Sequence, residues 1–109
     1  MKWNNLESVQ QLTALKEASK QKLQLVFKHS TRCYISKIAL KNFENDFNLE
    51  NKIDTYFLDL LNHRELSNQL ATDFEIPHES PQLLLIKEGK VIYNESHEGI
   101  DAKVLSAYL

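Results

Sequence analysis

The chain has 109 residues, enough for one domain with a core of ordinary size. Its 13 Lys and Arg stand against 15 Asp and Glu for a net charge of −2, and no basic stripe marks a nucleic-acid binder. No run is long or apolar enough to span a bilayer, and Met1–Glu7 lacks the apolar core and cleavage site of a signal peptide.

Lys2–Leu6 reads as a short edge strand or an arm, with Trp3 as packing or an N-terminal clasp. Ser8–Ser19 carries Val9, Leu12, Leu15 and Ala18 at helical spacing, and Leu23–Phe27 is a β-rich strand run. From Cys33 onward Ile35, Ala39, Phe43 and Phe47 recur every fourth position, with Ile38 and Leu40 beside them. One helix face running to about Phe47 follows. Ile53–Leu61 is β-branched and aromatic and reads as a strand. Asn62 then stands where a helix cap is wanted, with Glu65 at the third helical position and Leu66, Leu70, Ala71 and Phe74 on one face. Pro77 and Pro81 bracket a loop, Ile76 to Ser80. Leu83–Ile86 is a continuous apolar run, as a strand buried on both faces requires. Lys87-Glu88-Gly89-Lys90 is a hairpin signal, Val91–Tyr93 returns, and Asp101 caps a last helix carrying Val104, Leu105 and Leu109. Strands alternating with helices predict crossovers, and the tight turn adds an antiparallel pair. The expectation is a single α/β domain over residues 1–109, a mixed central sheet with helices on both faces.

Cys33 is the only cysteine, placed where the strand run gives way to the helix run. It can form no internal disulfide, and a leftover thiol is a liability in an oxidising compartment, so a cytoplasmic location is expected. A thiol at a helix N-terminus faces free backbone N–H groups and the positive end of the helix dipole. Both favour the thiolate, and Arg32 adds a cation beside it. In one register Cys33 closes a Ser30-Thr31-Arg32-Cys33 motif; in the other it opens Cys33-Tyr34-Ile35-Ser36. The helical period beginning at Ile35 favours the second, with Ser36 where a resolving thiol would stand. Thr31 reads equally as a helix cap or a substrate contact, and Arg32 as a surface cation or a holder of substrate carboxylates. His29, His63, His78 and His97 scatter over different elements without ligand spacing, so no metal site and no bound cofactor are expected.

The element order resembles the thioredoxin fold. The string from Phe27 to Cys33, Phe-Lys-His-Ser-Thr-Arg-Cys, followed by Ile35-Ser36, Leu66-Ser67-Asn68, His78-Glu79-Ser80-Pro81-Gln82 and Ser96-His97, is similar to the YtxJ-type bacillithiol-system family, the monothiol bacilliredoxins. That family commonly carries proline after the cysteine, where this chain has Tyr34. The resemblance implies a cis Ser80–Pro81 bond beside the cysteine, with Ser80 offering backbone groups to a docking disulfide. His78, three residues before Pro81, reads equally as a residue bordering the site or as a satisfied loop histidine. The resemblance also implies a thiol–disulfide transferase in which Cys33 takes a small thiol, bacillithiol as co-substrate, from bacillithiolated client proteins; charge and hydropathy add the expectation of no nucleic-acid or membrane partner. Two other readings stay open: a redox-inactive thioredoxin-fold binding module, and a thiol sensor modified under stress. An iron–sulfur monothiol glutaredoxin is disfavoured, because those proteins carry Cys-Gly-Phe-Ser.

Overall fold

The apolar runs and amphipathic segments fold, in a computed structural model that describes residues 1–109, into a five-stranded sheet between two helical layers. In chain order the elements are β1 (Asn4–Asn5), α1 (Val9–Ala18), β2 (Leu23–His29), α2 (Tyr34–Asp46), β3 (Ile53–Asp59), α3 (Arg64–Phe74), β4 (Gln82–Lys87) and β5 (Lys90–Ser96). A 3₁₀ turn, His97–Gly99, and a 3₁₀ helix, Ala102–Tyr108, complete the chain. The sheet order is β1-β3-β2-β4-β5; β3 runs parallel to β1 and β2, while β4 runs antiparallel to β2 and β5. The expected mixed α/β sheet is present.

Side-chain alternation divides the sheet into two buried faces. Leu25, Phe27, Leu83 and Leu85 meet Ala39 and Phe43 of α2, Phe47 at its C-cap and Leu105 of the 3₁₀ helix. Val26, Leu84 and Ile86 meet Leu12 and Leu15 of α1 and Leu66, Leu70 and Phe74 of α3. The Leu83–Ile86 run is uninterrupted because consecutive residues serve opposite cores. Trp3 is the clasp: its ring lies about 6 Å from those of Phe27, Phe43 and Phe57, and its Nε1 donates to Glu44 Oε2 at 2.8 Å.

The local signals mostly hold. Ser8 and Gln11 form a capping box at the start of α1. The hairpin turn places both Glu88 (φ 52°) and Gly89 (φ 76°) in the left-handed region, as a twisted two-residue turn demands. Three expectations are corrected. Asn62 does not cap α3, because its amide is drawn back to Asp59 Oδ2 at 2.9 Å; His63 is the N-cap and Glu65 is the second helical residue. The last helix is 3₁₀ rather than α, although Asp101 does cap it by accepting from Lys103 N. Ile35 and Ile38 are 41% and 44% exposed despite their periodic spacing, because the face they share opens beside the His97–Gly99 turn instead of closing on the sheet.

Candidate functional site

β2 runs two residues further than its apolar run, through Lys28 and His29, before the chain turns into α2. The turn is closed by Cys33 N–H donating to Ser30 O at 3.2 Å. Cys33 is the N-cap of α2, with extended backbone (φ −101°, ψ 121°), and its carbonyl accepts from Lys37 N. Its side chain makes no capping bond and the residue is half-buried, at the end of α2 where the first-turn N–H groups have no helical partner. Thr31 and Arg32 are exposed just ahead of it. Thr31 does not cap the helix, because Cys33 already occupies the cap position. Tyr34 is 76% exposed at the first helical residue, a position that tolerates proline since its N–H has no helical partner.

Ser36 lies three residues into the motif that Cys33 opens, and it is fully buried. Its Oγ accepts from Ser30 N at 3.1 Å and lies 2.8 Å from His29 Nδ1. Burial leads the causes that hold the His29 imidazole below its ordinary value, with Lys37 adding to it against the pull of Asp59. With His29 neutral, the Ser36 hydroxyl donates to Nδ1 and uses a lone pair for Ser30 N–H. The serine therefore fastens the Cys33 loop to the end of β2.

The second arm is the loop after α3. The helix ends on Glu75 in the left-handed conformation (φ 55°), and the loop closes on a cis Ser80–Pro81 peptide before β4. Gln82 braces it from inside, accepting from Glu79 N and donating to Pro77 O, both at 3.2 Å. From the β5 side His97 N–H donates to Pro81 O at 3.1 Å, and His97 Nε2 lies 3.5 Å from Glu79 Oε2. β2 pairs Lys28 with Gln82, so the cis-proline stands at the end of the sheet from which the Cys33 loop emerges. Pro81 is buried; Ser80 is half-buried, and its hydroxyl oxygen has no hydrogen-bond partner.

His78 reaches the opposite face. Its Nδ1 lies 2.8 Å from Lys28 Nζ and 3.4 Å from Ser67 Oγ. Lys28 is fully buried, and burial, partly offset by the Glu79 carboxylate, brings its ammonium down to about 8. The His78 imidazole is held below its ordinary value by burial, then by Lys28 and Arg64, against Glu79. The lysine carries a stability consequence with a definite sign. Its folded value lies below the unfolded one, so the stability tied to its neutral form is present above about 10.5 and lost as pH falls through about 8. At pH 7 the buried ammonium is therefore a burden, and Lys28→Met is expected to raise stability by about 2 kcal/mol. Urea unfolding of both proteins checks this: the gap should largely close by about pH 9.5, and a gap independent of pH would contradict it.

The structure thus brings Thr31, Arg32 and Cys33 together on one loop and His78, Ser80 and Pro81 on the other, both at one end of the sheet. Sequence reasoning missed Lys28, which looked like the polar exit of a strand, and the Ser36–His29 clip. It also missed Gln82 and Glu79 as braces. The polar string His78-Glu79-Ser80-Pro81-Gln82 was the available signal, since each of its polar side chains except that of Ser80 has a partner in the loop or in the elements beside it.

A cysteine at the N-cap of α2 and a cis-proline loop at the same end of this sheet order define a thioredoxin-fold protein with a single thiol. Solved structures agree. A candidate oxidoreductase with a thioredoxin fold is 31% identical, with TM-score 0.79 over 94% of this chain and 89% of that one. The fold alone is shared with the Malassezia sympodialis thioredoxin Mala s 13, 20% identical, TM-score 0.73 over 98% of this chain and 87% of that one. It is also shared with mitochondrial thioredoxin 3 of Saccharomyces cerevisiae in its oxidised form, 14% identical, TM-score 0.69 over 97% and 92%. The family described as monothiol bacilliredoxin BrxC matches residues 4–105, and the chain belongs to that family. Family and fold point to a thiol redox function. No helix is long and apolar enough to cross a membrane.

Proposed function

We propose that the protein is a monothiol thiol–disulfide transferase that removes bacillithiol from mixed disulfides on client proteins in the cytoplasm. The observation that carries this reading is the pairing of a lone, half-buried Cys33 at a helix N-cap with a buried Ser36 in the place of a second thiol. The Cys33 thiolate attacks the bacillithiol sulfur of the mixed disulfide. A Cys33–bacillithiol disulfide forms, the original S–S bond breaks, and the client leaves as its thiolate. A second bacillithiol thiolate then attacks the adduct at the bacillithiol sulfur, releasing oxidised bacillithiol and returning the Cys33 thiolate. Ser36 has no thiol with which to intercept the adduct, so electrons pass only between molecules. In this reading Arg32, exposed and without an ion-pair partner in the chain, meets carboxylates of the small thiol, and the Ser80–Pro81 edge, with its unpaired Ser80 hydroxyl, receives the disulfide. No bound cofactor enters these steps.

The test is a panel of disulfides between a protein cysteine and bacillithiol, glutathione or coenzyme A. Intact mass shows which small thiol forms an adduct on Cys33, and a chase with free thiol shows which adduct is turned over. Turnover of the bacillithiol disulfide ahead of the others is expected. Adduct formation without turnover would select a thiol sensor, and no adduct from any of the three would select a binding module.

A further inference from the structure

Lys28 is unusual: a fully buried lysine whose only side-chain partner is the ring of a neighbouring histidine. It lies on β2, five residues before Cys33, and faces the side of the sheet opposite Phe27, among the contacts of α3. Its partner, His78, is the third residue of the loop that ends in Ser80–Pro81. We infer that Lys28 is a positioning residue for the exchange: through His78 it fastens the 76–81 loop, so that the Ser80–Pro81 edge meets the mixed disulfide at Cys33. This inference rests on the transferase reading above.

The chemistry of the contact is restrictive. An ammonium only donates, so His78 Nδ1 must present its lone pair, which puts the ring proton on Nε2 and leaves the ring neutral. The groups around the pair are Lys28 from β2, Ser67 and Arg64 from α3, and Glu79 from the loop itself. Arg64 and Lys28 both oppose a second positive charge on His78, whereas Glu79 favours charge on either partner. In acid, a proton on Nδ1 would replace the hydrogen bond with two cations in contact. In alkali, above about 8, Lys28 becomes a neutral amine and the bond loses its charge assistance. Between these limits the loop is held from the α3 face by Lys28, from within by Gln82, and from the β5 side by His97. Only the first hold changes with pH at its donor.

The experiment compares two reactions of Cys33 across pH. One is release of bacillithiol from a thiolated protein, which needs the loop; the other is alkylation by iodoacetamide, which does not. Wild-type transfer should fall relative to alkylation above about pH 8. His78→Ala, at an exposed residue, should lower kcat/KM for transfer about tenfold, leave alkylation within about twofold of wild type, and abolish the relative alkaline fall. His78→Gln restores an acceptor that does not titrate, and should recover most of the transfer. Lys28→Met, which removes the donor from the other side, should match His78→Ala. Wild-type transfer by His78→Ala, or a loss in His78→Gln equal to that in His78→Ala, would overturn the inference. Absence of transfer by the wild-type protein itself would instead overturn the transferase reading, and this inference with it.

Discussion

Cys33→Ser is expected to lose thiol transfer entirely, leaving only the uncatalysed exchange between client disulfide and free bacillithiol. The loss is chemical. An alcohol forms no S–S bond, and a serine hydroxyl is not ionised near neutrality, so neither the attack on the mixed disulfide nor the adduct exists. The fold should not suffer. Cys33 occupies the N-cap of α2 without a side-chain capping bond, and serine is a favoured residue there, able to accept from an N–H of the first turn. Unfolding should show stability equal to wild type or higher by up to about 1 kcal/mol. An inactive variant that is also as stable as its parent separates the reaction of the sulfur from its role in packing. Release of bacillithiol from a thiolated protein, followed alongside urea unfolding, checks both halves.

Ser36→Cys should change the kind of reaction rather than its rate alone. Residues three apart across a helix start are neighbours, and position 36 is buried next to the cap. Once Cys33 carries a small thiol, a thiol at position 36 can attack Cys33 Sγ, expel the small thiol and close an internal disulfide. The variant should accumulate less mixed disulfide, show an intact mass lower by two hydrogens after one turnover, and gain some reduction of protein disulfides. It should also be weaker as a fold. Ser36 Oγ serves Ser30 N–H and His29 Nδ1, and a thiol is a poor substitute for both, so a loss of about 1 to 3 kcal/mol is expected. A variant that keeps a stable mixed disulfide and forms no internal bond would show that the two positions are held apart, against the helix geometry.

The fold was legible in this chain wherever one physical signal dominated. Leu83–Ile86 read as a strand between two cores and Glu88-Gly89 as part of a tight turn, and both are so. The register of the motif was legible too, because the helical period starts just after Cys33. What escaped were outcomes of competition between partners. Asn62 looked like a cap until Asp59 claimed its amide. Ile35 and Ile38 had core spacing, but which part of α2 the sheet covers is set by tertiary packing. Lys28 and His29 looked like the polar end of a strand. They are buried because residues distant in sequence, His78 and Ser36, satisfy their polar atoms. The cis geometry at Pro81 was implied by family resemblance and not by the residues alone, since a proline at a strand start is tolerated in either form.

These particulars converge on one claim, that a single sulfur both takes and passes on the small thiol. The most direct test mixes the protein with a bacillithiolated client, quenches with acid at short times, and reads the intact mass of both proteins before and after a chase of free bacillithiol. The mechanism requires the client to lose bacillithiol as the protein gains it on Cys33, one for one. The chase should then return the protein to its starting mass and yield oxidised bacillithiol. A client that loses bacillithiol while no adduct ever appears on Cys33, in a reaction that Cys33→Ser carries out equally well, would contradict it.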